Sequence, residues 1–189
     1  MLDAPTRIAC FGDSLTQGYG LRPDEALPAV LERLLREDGI RVTCLNFGIS
    51  GDTSGDGVDR INEVLSAKPD AALIEFGAND CFVGDSPEVV RANMATIIET
   101  LQKNRIPILL VGITALTNMD DGYKSEFDPL FAQLADQYNI PLFPDILSCY
   151  FGNSMMTLMD GMHPNELGVE AIAKALFPQV KDLVTSHQS

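Results

Sequence analysis

Arg7-Ile8-Ala9-Cys10-Phe11-Gly12-Asp13-Ser14-Leu15 sets the reading of this chain. A short apolar run meets a glycine and then a polar turn. A strand covered on both faces reads as a near-continuous apolar run, and a glycine at its end lets the backbone turn sharply. The same pattern returns downstream. Residues 42–47 run into Gly48, 71–76 into Gly77, and 108–112 end on Gly112, while 142–143 form a fifth, shorter run. Helical spacing fills the gaps. Val30, Leu31, Leu34 and Leu35 recur within 29–37, and Val58, Ile61 and Leu65 within 58–65. Residues 86–103 open with Ser86 as a cap and Pro87 in the first turn. They carry Val90, Met94, Ile97, Ile98 and Leu101 on one face. Residues 123–138 and 166–183 complete the set. Such alternation predicts an α/β fold, an α/β/α sandwich around a mainly parallel five-stranded sheet, with 1–189 as one domain.

Ligands of open parallel sheets bind beyond the carboxyl ends of the strands. The informative loops are therefore 12–20, 48–57, 77–85, 113–123 and the late stretch 155–164. In the first, Ser14 follows strand and glycine, where its hydroxyl can stand exposed with its own N–H free. Serine and aspartate also cap ordinary turns. The chain has two histidines. His187 sits at the C-terminal end, where fraying is expected, which leaves His163 in Asp160-Gly161-Met162-His163-Pro164. Aspartate three residues before histidine can fold back in one turn and hold Nδ1–H, leaving Nε2 as a base. The pair is also compatible with a plain surface turn. Asn79, in Gly77-Ala78-Asn79-Asp80, can offer its amide to a developing oxyanion, and Gly51 a backbone N–H. Each residue type is common in turns. Taken together, the loops supply a nucleophile, an oriented base and oxyanion donors at one sheet edge, which acyl transfer requires.

Composition narrows the partners. Acidic residues number 27 against 13 basic ones, a formal charge of −14, which disfavours nucleic acid and anionic lipid surfaces. The most apolar stretch, 106–116, is broken by Pro107, Gly112 and Thr114 and falls short of the ~20 apolar residues a membrane span needs, so no stable membrane insertion is expected. Met1-Leu2-Asp3-Ala4-Pro5 lacks the features of a signal peptide. The simple expectation is a cytoplasmic protein, with a periplasmic or secreted mature chain as the alternative. Cys10, Cys44, Cys81 and Cys149 form no CxxC and are expected to be reduced, with Cys10 and Cys44 buried.

Two decoys were weighed. Asp52, Ser54, Asp56, Gly57 and Glu63 fall at EF-hand spacing, but a strand precedes them and Asp59 occupies an apolar position, so a capped turn is the better reading and no metal is expected. A receiver-type or flavin-binding module would share the alternation. However, residues 12–20 hold no lysine, and Lys174 and Lys181 lie on the last helix pattern, away from the candidate acid Asp80.

The blocks Gly12-Asp13-Ser14-Leu15, Gly51, Gly77-Ala78-Asn79-Asp80 and Asp160-Gly161-Met162-His163-Pro164 resemble, in order and spacing, those of the GDSL/SGNH hydrolases. The likeness is greatest to the bacterial arylesterase and multifunctional thioesterase/lysophospholipase branch, and runs from about Arg7 to the last helix. It implies a flavodoxin-like fold and a serine esterase acting through an acyl-enzyme on a small-molecule ester. Ser14 would be the nucleophile, His163 the base and Asp160 its orienter. Ser14 N–H, Gly51 N–H and the Asn79 side chain would form the oxyanion hole, with no cofactor. The family's carbohydrate-ester deacetylases are the alternative. Cys81-Phe82-Val83-Gly84 departs from the branch's glycine-rich continuation and bears on substrate length. The chain has no Trp but sets Met155, Met156, Met159 and Met162 near the Asp/His block. These either pack the last helix or line an acyl site. Phe82, Leu116, Met119, Tyr123, Met159 and Met162 are the candidate substrate wall, which favours short to medium acyl or aryl esters.

Overall fold

In the computed structural model, which describes residues 4–186, β1 (Thr6–Gly12) is an interior strand of a five-stranded sheet, one in from its edge. Its neighbours are β2 (Val42–Gly48) and β3 (Ala71–Glu75), followed outward by β4 (Ile108–Val111) and β5 (Leu142–Phe143). The order is β2-β1-β3-β4-β5 and every pairing is parallel. Gly12 lies in register with Gly48 on one side and Glu75 on the other. His187 lies outside the described residues.

The helices are α1 (Ser14–Gln17), α2 (Leu27–Glu37), α3 (Ser54–Ser66), α4 (Ala78–Val83), α5 (Pro87–Lys103), α6 (Asp121–Phe127), α7 (Leu130–Tyr138) and α8 (Glu166–Thr185). α2 packs against α8, while α3 packs against α5, which in turn meets α7. Right-handed crossovers put these two groups on opposite faces of the sheet. From β1 the chain first steps outward to β2. It then crosses back over β1 to reach β3. A crevice opens where the direction reverses, beyond the carboxyl ends of β1 and β3.

The structure departs from five of these expectations. β2 is half-exposed along most of its length, because it is the sheet's edge rather than a strand covered on both faces. Two of its backbone groups are taken by α2: the Cys44 N–H donates to Glu32 (2.7 Å) and the Val42 carbonyl accepts from Arg36 (3.0 Å). Such capping blunts an edge against further pairing. Cys44 is accordingly half-buried, whereas Cys10 is buried, and all four cysteines are free. The helix expected over 123–138 is two helices. Pro129 has no N–H to extend the ladder, and Asp128 instead accepts from the Ala115 N–H at 2.7 Å. Finally, 77–85 is not all loop, since α4 starts directly after Gly77, whose φ of +129° suits glycine. α3 begins four residues earlier than its apolar spacing suggests, because Thr53 and Asp56 form a capping box.

The sheet end is tight where β2 meets α1. A Cβ on Gly48 would stand 2.2 Å from the Gln17 nitrogen and 2.8 Å from the Asp13 carbonyl. Gly48→Ala is therefore expected to cost ~1–3 kcal/mol as overpacking against backbone. Urea denaturation checks this, and a variant as stable as the wild type would contradict the close approach.

Candidate active site

Ser14 is the first residue of α1, and Asp13 caps that turn by accepting the Leu15 N–H at 2.9 Å. The Ser14 hydroxyl lies 3.0 Å from His163 Nε2. His163 Nδ1 lies 2.6 Å from Asp160 Oδ2. The other Asp160 oxygen accepts the backbone N–H groups of Met162 (2.9 Å) and His163 (3.0 Å). Burial alone would raise the Asp160 carboxyl, but the His163 ring and those two N–H groups outweigh it and hold it down at about 2. The segment is a tight loop. Thr157 bridges Pro164, Leu158 N–H donates to the His163 carbonyl (2.8 Å), and Gly161 turns the tip with φ +68°. Beneath it, the Tyr150 hydroxyl donates to the Met162 carbonyl at 2.9 Å. Asn165 then caps α8 through the Leu167 and Gly168 N–H groups.

Across the crevice, the N–H groups of Ser14 and Gly51 donate to no protein acceptor among the described residues. Gly51 holds φ +89°, so a side chain there meets backbone strain rather than a clash. The Asn79 amide uses both hydrogens. It donates to Asp13 Oδ2 (3.1 Å) and to the Asp52 carbonyl (2.9 Å). These groups face a cleft of ≈ 350 Å³ together with Leu15, Tyr19, Phe82, Leu116, Leu147, Tyr150, Phe151 and Met162. Of the candidate substrate wall, Phe82, Leu116 and Met162 line this cleft, whereas Met119, Tyr123 and Met159 do not. Met159 points fully into solvent. Tyr123 stacks on Phe127 and donates to the Asp85 carbonyl (3.0 Å), bracing the chain after α4. Sequence reasoning missed Tyr19, whose ring packs 4.5 Å from that of His163. The available signal was its setting between Gly18 and Gly20, both with positive φ.

The decoy residues are engaged elsewhere. Asp52 pairs with Arg60, Asp56 caps α3, and Asp80 accepts from the Ser54 N–H and hydroxyl. Among the described residues no three His, Cys, Asp or Glu gather as a metal site.

Three buried carboxyls, Asp13, Glu75 and Asp80, underlie the crevice. Burial and then the charge of Glu75 push Asp13 well above the usual carboxylate range, and burial raises Glu75 and Asp80 too. The Asp13 backbone N–H donates to Glu75 Oε2 (3.4 Å), Thr16 donates to the same oxygen (2.9 Å), and Glu75 Oε1 has no partner. Both shifts favour the neutral form of the acid, with burial as the leading cause.

The family model described as GDSL-like lipase/acylhydrolase matches residues 10–171. An arylesterase of Vibrio mimicus is 32% identical over 162 residues, covering 85% of this chain and 81% of that protein. The thioesterase 1/protease 1/lysophospholipase L1 of Escherichia coli (strain K12) is 28% identical over 187 residues, covering 98% and 88%. The crystal structure of AlinE4, an SGNH-hydrolase family esterase, superposes with a TM-score of 0.81 at 39% identity, over 96% of this chain and 98% of that one. The chain belongs to the GDSL-like lipase/acylhydrolase family.

The raised carboxyls set a pH dependence of stability. An acid whose folded value lies above its unfolded one stabilises fully below the unfolded value, and that contribution is lost as pH rises through the folded one. For Asp13 and Glu75 the loss begins near their ordinary values of 3.8 and 4.5 and continues upward. Glu75→Gln removes one charge of the pair. Its thermal midpoint between pH 5 and 9 should fall less steeply than that of the wild type. Parallel curves would show that the pair carries no such strain.

Proposed function

We propose that Ser14 is the nucleophile of a carboxylic ester hydrolase, with His163 as its base and Asp160 as the group that orients the base. One observation carries this reading: the unbroken line Ser14 Oγ, His163 Nε2 and Asp160 Oδ2, at 3.0 and 2.6 Å, on the wall of an apolar cleft. Ser14 attacks the ester carbonyl while its proton passes to His163 Nε2. The tetrahedral oxyanion is met by the unused N–H groups of Ser14 and Gly51. Asn79 adds a third donor by releasing the longer of its two bonds, that to Asp13. His163 returns its proton to the leaving alcohol, and the acyl-enzyme is hydrolysed by a water that the same imidazole activates.

The substrate reading is a short to medium acyl or aryl ester, with thioesters and lysophospholipids within reach given the relatives' names. Apolar walls at Tyr19, Phe82, Leu116, Phe151 and Met162 support this over a sugar-binding deacetylase site. Among the described residues no helix is long and apolar enough to cross a membrane. A cytoplasmic setting completes the proposal, supported by the four free thiols.

The test is hydrolysis of p-nitrophenyl esters from acetate to palmitate by wild type, Ser14→Ala and Asn79→Ala. Ser14→Ala should fall to background, and Asn79→Ala should lose ~10²–10³ in kcat. Full activity of folded Ser14→Ala would overturn the assignment.

A further inference from the structure

Arg60 lies in the middle of α3, is not part of the cleft wall, and has only 10% of its side chain exposed. Each of its three guanidinium nitrogens donates a hydrogen bond. Nε donates to Asp52 Oδ2 (2.5 Å), Nη1 to the Phe47 carbonyl (2.8 Å) and Nη2 to the Gly12 carbonyl (2.9 Å). It also lies 4.6 Å from the centroid of the Phe11 ring. Each acceptor borders one component of the proposed oxyanion site. Gly12 leads into Asp13 and Ser14. Phe47 leads through Gly48 into the turn that carries Gly51. Asp52 follows Gly51, and its carbonyl accepts the Asn79 amide.

We infer that Arg60 is a positioning residue, a brace that holds Asp52 and through its carbonyl fixes the Asn79 amide relative to Ser14. The inference rests on the reading of Asn79 as an oxyanion donor. Only arginine has the means to do this. Its planar fork aims several donors at once and stays charged, whereas a lysine would reach these acceptors with one ammonium. The brace matters because the Asn79 amide has a second holder, Asp13, on its other side. With Asp52 no longer held, its carbonyl no longer fixes the Asn79 amide against the hold of Asp13, and a misplacement of ~1 Å can cost ~10² in rate.

A buried ion pair that merely supported the fold would change stability and leave the catalytic groups independent of it. A double-mutant cycle separates the two roles. Arg60→Lys is made in the wild type and in Asn79→Ala, and kcat, KM and thermal midpoint are measured with p-nitrophenyl butyrate. The brace predicts a loss of ~10–10² in kcat with KM within about two-fold in the wild type, and a loss under about three-fold in the Asn79→Ala background. Wild-type kcat in Arg60→Lys, or an equal loss in both backgrounds, overturns it. If Arg60→Lys does not fold, the near-isosteric Asp52→Asn enters the same cycle under the same criteria. Undiminished kcat in Asn79→Ala alone would remove the oxyanion reading itself and the brace with it. An impaired Asn79→Ala with fully additive losses would remove the brace alone.

Discussion

A serine hydroxyl attacks an ester only if a base takes its proton, and here the two groups lie 149 positions apart in sequence and 3.0 Å apart in space. Much of the architecture serves that contact. β1 must be an interior strand so that its carboxyl end opens on the crevice. The chain must reverse direction beside it, which the β2-β1-β3 order achieves. The loop before α8 must then bring its imidazole to the same edge. It does so as a small braced unit, with Thr157 bridged to Pro164, Tyr150 holding the Met162 carbonyl, and Asp160 collecting two backbone N–H groups before it meets the ring.

Under the crevice the protein buries charge of both signs. Arg60 is stitched to two strand-end carbonyls and Asp52, while Asp13, Glu75 and Asp80 sit in the interior with raised carboxyls. An apolar filling would be the more stable choice for such volumes. Polar groups hold loops in one relative orientation, which hydrocarbon packing does less specifically. On this view Asp13 is more than a helix cap. It accepts the Leu15 N–H below Ser14 and the Asn79 amide beside it.

The strands and most helices were legible because apolar runs followed by glycine, and apolar spacing near 3.6, are local signals. The four loops bearing Ser14, Gly51, Asn79 and Asp160–His163 could likewise be placed at one sheet edge, since strand direction dictates that. What could not be read depends on neighbours. Nothing in residues 42–47 distinguishes an edge strand from a central one, so the exposure of β2 and Cys44 followed only from the sheet order. α4 is too short for periodicity to register. Met119, Tyr123 and Met159 lie in the connections after strand ends as Phe82, Leu116 and Met162 do, and only the path of those connections separates residues that reach the cleft from those that do not. Arg60 gives no signal of its own in the sequence, and its three acceptors lie on the end of β1 and on residues 47–52, which only the fold brings together around it.

Covalent capture of the nucleophile tests the central claim most directly. The enzyme is treated with a fluorophosphonate and digested, and the modified peptide is located by mass. The account predicts one equivalent of label, on Ser14, with activity lost in proportion. Label on another residue, or an active enzyme that remains unlabelled at Ser14, would contradict it.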